Sequence, residues 1–103
     1  MARAYQLIFE FEGDDLKCFD HVIGLEDLLR TTLASDEVDG HDAGQGIVNI
    51  FVFTDQPQRC FEEALRVIDG AEPSLSAAAY RAVKEEVYAR LWPRDDPAPF
   101  CLR

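Results

Sequence analysis

Apolar and polar residues alternate from Tyr5 to Glu12. Tyr5, Leu7, Phe9 and Phe11 fall on one side, and Gln6, Ile8, Glu10 and Glu12 on the other. Successive side chains of a strand point to opposite faces, so this period of two predicts a strand over residues 4–12 with one face buried. Gly13-Asp14-Asp15 supplies a turn and a carboxylate to cap a helix. The period then changes. Leu16, Phe19, Val22, Ile23, Leu25, Leu29 and Leu33 recur at helical spacing over residues 15–33, with Leu28 widening the stripe. Gly24, costly inside a helix, is expected to let this helix approach the sheet closely. His21, Glu26 and Asp27 are read as its solvated face.

Residues 37–41 are polar and predict a short edge strand, with the chain turning over Asp42 to Gly46. At Gly44 or Gly46 a positive φ is expected, as a tight hairpin requires. Residues 47–54 are apolar on both sides except for Asn49. A strand of that kind is usually central and covered on both faces. Pro57 opens a second helix whose inner face is Phe61, Ala64, Leu65 and Ile68, with Gly70 at its end. Residues 74–92 fit either period. Tyr80, Val83, Val87 and Leu91 suit a helix, whereas Ala78, Tyr80 and Ala82 alternate.

Topology decides that choice. The preceding elements read β-α-β-β-α, and a strand at 77–83, followed by a strand-like segment at 87–91, completes an α+β, ferredoxin-like β-α-β-β-α-β sandwich. Its antiparallel sheet would run 4-1-3-2 with both helices on one face. Residues 1–93 would form the single domain, and residues 94–103, with Pro97 and Pro99, an extended tail. The first strand offers Tyr5, Leu7, Phe9 and Phe11 to the helices. On the strand at 47–54 either set could face them. The helix-free face then needs cover, from a second copy or from Phe100 and Leu102 of the tail.

The length of 103 residues suits one domain, and a 48% apolar content is enough for a core. Twenty acidic against ten basic residues give a net charge of −10. Such a surface repels phosphate backbones and so disfavours nucleic acid; it suits solubility or a basic protein partner. Cys18, Cys60 and Cys101 form no CxxC pair and no zinc spacing. Neither a signal-peptide apolar stretch nor a membrane span is read, so a cytoplasmic protein with reduced thiols is expected, without cofactor or metal.

Candidate chemistry gathers between Val38 and Thr54. Asp39 and His41 would share a face of the strand, where a carboxylate can orient an imidazole or share a metal with it. Asp42 at the turn could join them or bond its own backbone. Asn49, an amide on the most buried strand, must find partners and could line a site or fix register. Gly40, Gly44 and Gly46 do not make a phosphate loop, because the GK[ST] ending is missing and a strand follows. Cys60 in the first turn of a helix is a weak nucleophile candidate, opposed by Glu62 and Glu63.

The segment Asp39-Gly40-His41-Asp42-x-Gly44-x-Gly46-x-x-Asn49-Ile50-Phe51, followed by Thr54-Asp55-x-Pro57, resembles a signature of small bacterial proteins without an established activity. Ala79-Tyr80-Arg81 and Tyr88-x-x-Leu91-Trp92-Pro93 are similar to their C-terminal part. The resemblance favours a strand at Tyr80 and implies no reaction. Three functions are therefore weighed: a non-catalytic binding protein that forms a homodimer, an immunity-type inhibitor of a basic toxin, and a small enzyme or metal binder using Asp39, His41 and Asp42.

Overall fold

A computed structural model describes residues 3–13, 16–69, 75–93 and residue 100. The elements are β1 (Tyr5–Glu12), α1 (Leu16–Thr32), β2 (Glu37–Gly44), β3 (Ile47–Thr54), α2 (Pro57–Ile68), β4 (Leu75–Ala82) and β5 (Ala89–Trp92). The strands form one five-stranded antiparallel sheet in the order β2-β3-β1-β4-β5. The fold is thus α+β, but the expected four-stranded sheet of order 4-1-3-2 is not what forms. Ala89–Trp92 adds a fifth strand outside β4. The added strand is anchored by apolar packing, with Leu91 and Trp92 against the main core and the Trp92 ring 6.4 Å from that of Phe61.

The register resolves which side of β3 meets the helices. Leu7, Phe9 and Phe11 stand opposite Val52, Ile50 and Val48. All six are buried with Val22, Leu25 and Leu29 of α1 and Cys60, Phe61, Ala64 and Ile68 of α2. Phe9 and Phe61 stack at 6.3 Å, tying α2 to the middle of the sheet. Each such buried side chain contributes about 1.5–3 kcal/mol relative to exposure.

Helix α1 departs from its predicted stripe. Leu16 is 81% and Leu28 55% exposed, while Glu26, read as solvated, is buried. The inward face runs Val22, Leu25, Glu26, Leu29, which is i, i+3, i+4, i+7, so position 26 is geometrically interior whatever residue it holds. A Cβ on Gly24 would meet nothing within 4 Å, so the expected close approach does not occur there. It occurs at Gly13 instead, where a Cβ would lie 2.8 Å from the Cβ of Cys18. The Gly13 N–H donates to the Gly46 carbonyl at 2.8 Å, joining the end of β1 to the hairpin turn.

The helix-free face is covered in part by the chain itself. Phe100 is 6% exposed and packs with Ile8, Ala77 and Ala79, with Tyr88 and Phe51 at the margin. The expected capping by Asp14-Asp15, the helix end at Gly70 and the remainder of the 94–103 tail, Leu102 included, lie outside the described residues. Among the described residues no helix is long and apolar enough to cross a membrane.

Candidate functional site

The β2–β3 hairpin carries the candidate residues, and its geometry re-sorts them. β2 continues through Gly44, so the turn is only Gln45-Gly46, with φ of 53° and 77°. Positive φ at both central residues is the two-residue turn whose twist matches the flanking strands. The broader turn expected over residues 42–46 is thereby corrected. Ladder bonds to β3 hold Asp42 to Gly44 as strand despite their low strand propensity.

A bulge breaks the expected pairing of Asp39 with His41. The register shifts between Val38 and Gly40, leaving Asp39 as the extra residue, and Gly40 takes φ 154°. One added residue inverts the alternation downstream. Val38 and His41 face Val52 and Ile50 on the helix side, whereas Asp42 faces Asn49 on the other side. Asp42 and Asn49 instead come together, lining a shallow 260 Å³ depression with Gly44, Gln45 and Ile47. Asn49 is 1% exposed there and Asp42 is at the surface.

His41 finds its carboxylate on α1. Its Nδ1 lies 3.0 Å from Glu26 Oε1, and Arg30 Nη2 donates to Glu26 Oε2 at 3.2 Å. The Phe19 ring meets the imidazole edge-on at 5.6 Å. Glu26 thus has both oxygens engaged, as a buried carboxylate requires. With the carboxylate accepting, Nδ1 carries the proton and Nε2 is the imidazole's remaining polar atom. The arrangement fixes a ring orientation and docks α1 onto β2. Its charge on the α1 side is shared further with Asp27, which accepts from Arg30 at 3.5 Å.

A second polar cluster joins the end of α1 to the start of α2. Asp36 Oδ1 accepts from Thr54 Oγ1 at 2.7 Å and from Arg59 Nη2 at 2.9 Å. Thr54 Oγ1 also accepts the Gln56 N–H at 3.1 Å, doing for this helix start what the Gln56 side chain does not. Arg59 donates to Glu63 at 2.8 Å, and these two acids hold its guanidinium above its ordinary range, Glu63 most strongly. Burial, reinforced by Asp36, pushes the Cys60 thiol up to about 12. That corrects the nucleophile reading, because the thiolate that would react is suppressed rather than favoured. Asp55, by contrast, is held below the usual carboxylate range by the Ala4 N–H at 3.0 Å, helped by Arg3.

No protein-family model matches this chain, and neither does any curated protein or solved structure compared with it. Among the described residues no group of three or more His, Cys, Asp or Glu is placed to hold a metal ion.

Glu26, Arg30, Asp36 and Arg59 were missed from sequence. Glu26 had a usable signal, since it falls inside the Val22–Leu29 face. Asp36 had none, because its partners Thr54 and Arg59 lie 18 and 23 residues away.

Beside the Glu26–His41 pair, the hairpin and the start of α1 enclose a groove of 310 Å³ lined by Leu16, Phe19, Ala43, Ile47 and Val48 together with glycines and Gln45. The outer edge of β2, which among the described residues pairs only with β3, adjoins it and carries exposed Glu37, Asp39 and Asp42.

Proposed function

We propose that the protein is a binding protein that holds a basic protein partner along the outer edge of β2. The observation that carries this reading is the run of exposed acids, Glu37, Asp39 and Asp42, on an open strand edge of a chain with net charge −10. Exposed charge of one sign steers an oppositely charged partner and sets its register. The bulge at Asp39 and the charges themselves discourage strand-to-strand addition, so recognition runs through side chains. The split of His41 and Asp42 to opposite faces supports binding over joint chemistry by Asp39, His41 and Asp42. Phe100 on the helix-free face weighs against a homodimer through that face. An inhibitor of a basic toxin is the narrower form of this reading. The scaffold is read as a variant of the ferredoxin-like sandwich, supported by the β2-β3-β1-β4 run and by both helices packing on one side.

The test is an NMR titration of the labelled protein with the peptide Lys-Lys-Gly-Lys-Lys at low and high salt. Amide shifts should concentrate on residues 37–42, fade with salt and disappear in a Glu37→Lys, Asp39→Lys, Asp42→Lys variant. Shifts spread evenly over all acidic surfaces, or an unaffected triple variant, would refute the assignment.

A further inference from the structure

Asp36 holds a buried carboxylate of which only one oxygen is engaged. Its side chain is 1% exposed. Oδ1 accepts from Thr54 and from Arg59, but among the described residues Oδ2 accepts no hydrogen bond. The Cys60 thiol lies beside Asp36 and is a weak donor. A buried carboxylate oxygen normally has a strong donor, and burial without one is costly. Asp36 also lines a cleft of 390 Å³, together with Arg3, Asp55, Arg59 and Glu63, where the residues after α1 meet the start of α2. Charge in this cleft is out of balance. Arg3 bonds Asp55 at 3.3 Å, one cation to one anion. Arg59 serves two carboxylates, Asp36 at 2.9 Å and Glu63 at 2.8 Å, and its Nε–H is taken by Gln56. One negative charge is left over on the Asp36–Arg59–Glu63 group, and the half-charge at the start of α2 offsets only part of it. Water could satisfy the oxygen, but only a cation that donates to Oδ2 also balances the charge.

We propose that this cleft binds a primary ammonium group, from a small alkylamine or a lysine side chain, with Asp36 Oδ2 as its acceptor and Glu63 as its second counter-charge. An ammonium is a compact point donor and needs one free oxygen. A guanidinium fork wants two parallel ones, and Oδ1 is already taken. A metal ion fits poorly. Among the described residues no three His, Cys, Asp or Glu are placed to hold one, and Arg3 and Arg59 stand among the acids. The exposed Arg3–Asp55 pair is weak and can yield as the amine enters. The site is independent of the β2-edge reading, because its acceptor is a buried oxygen rather than the exposed acids of a strand edge.

The experiment is a set of NMR titrations at pH 7, where alkylamines are protonated, with n-butylamine, n-butanol and tetramethylammonium. n-Butylamine should shift the amides of Ser35, Asp36, Gln56 and Arg59 to saturation. n-Butanol, which lacks the charge, and tetramethylammonium, which lacks N–H donors, should not. The peptide Lys-Lys-Gly-Lys-Lys separates the two sources. Shifts at the same amides that n-butylamine competes away admit a lysine side chain, and their absence assigns the cleft to small free amines. Asp36→Asn keeps the side-chain shape, and with its oxygen toward Thr54 and Arg59 it places an N–H donor where Oδ2 stood. It should weaken n-butylamine about tenfold, the worth of a hydrogen bond to a charged group. Glu63→Gln, at a partly exposed position, should weaken it about threefold and carries the test if Asp36→Asn does not fold. Asp20→Asn, outside the cleft, should change nothing. Equal shifts with tetramethylammonium, a response that neither cleft variant alters, or no saturable binding of n-butylamine overturns the proposal. The β2-edge reading stands in each case, since it is read at residues 37–42.

Discussion

Gln45 holds φ 53°, a conformation that asparagine and glycine tolerate better than glutamine. Gln45→Asn should therefore raise the thermal midpoint, by up to about 1 kcal/mol in stability. Gly46, at φ 77°, should lose about 1–3 kcal/mol as Val through strain, whereas Gly44→Val should be nearly neutral. At Gly44 the φ is ordinary and a Cβ would meet nothing within 4 Å. Chemical denaturation of the three variants checks all of this, and a loss at Gly44 equal to that at Gly46 would remove the two-residue turn. The sequence signals a glycine turn here but cannot say which glycine bears the strain, because that depends on where the ladder stops. The bulge at Asp39 was illegible for a related reason: period-two reasoning assumes an unbroken strand. Cys60 gives a pH prediction. Its thiol is raised from the ordinary value of about 8.5 to about 12, so the folded state keeps a proton that the unfolded chain releases. The stabilisation is complete below the ordinary value and is lost as pH climbs toward 12, at up to about 1.4 kcal/mol per unit. Urea titrations between pH 7.5 and 10.5 should show a steeper alkaline decline for the native chain than for Cys60→Ala, and parallel declines would contradict the assignment.

At the scale of elements, α1 is both the best- and the worst-read segment. Its extent and its core positions Val22, Leu25 and Leu29 follow from periodicity, since burial of an apolar stripe is what makes a helix stable in a protein. The role of Glu26 does not follow, because a carboxylate inside the stripe is tolerated only if a distant strand brings it a donor, here His41. Removing one partner of a buried pair costs more than replacing the whole pair. His41→Ala should thus destabilise by about 1–3 kcal/mol, while Glu26→Leu in a His41→Ala background should recover much of the loss. A double-mutant cycle by denaturant unfolding measures this coupling, and additive effects would show that α1 docks on β2 without it. Gly24, exposed and with room for a Cβ, should gain about 0.5–1 kcal/mol as Ala, read as a higher helix content and melting point.

For the whole molecule, hydrophobic pattern was sufficient to place five of the seven elements and to orient β1, because one apolar side of an alternating strand can only face a core. It was insufficient to orient β3, where both sides are apolar, and to place β4 and β5, because residues 74–92 fit either period and the position of β5 depends on Trp92 packing near Phe61. The face left open by the helices is the remaining question of assembly, and Phe100 makes it testable. Its ring lies 5.2 Å from Tyr88 and 5.8 Å from the Arg90 guanidinium, over Ile8, Ala77 and Ala79. An aromatic seated on apolar residues contributes roughly 1.5–3 kcal/mol and hides a patch of the kind that monomers seldom expose. If intramolecular cover suffices, the intact chain should sediment near 11.6 kDa even at high micromolar concentration. Phe100→Asp, or a chain ending at Pro93, should then self-associate, because Ile8, Ala77 and Ala79 lose their lid and a second sheet becomes the cheapest replacement. If the intact chain already sediments at twice that mass and Phe100→Asp leaves the value unchanged, the cover is a partner sheet and Phe100 lies at its margin.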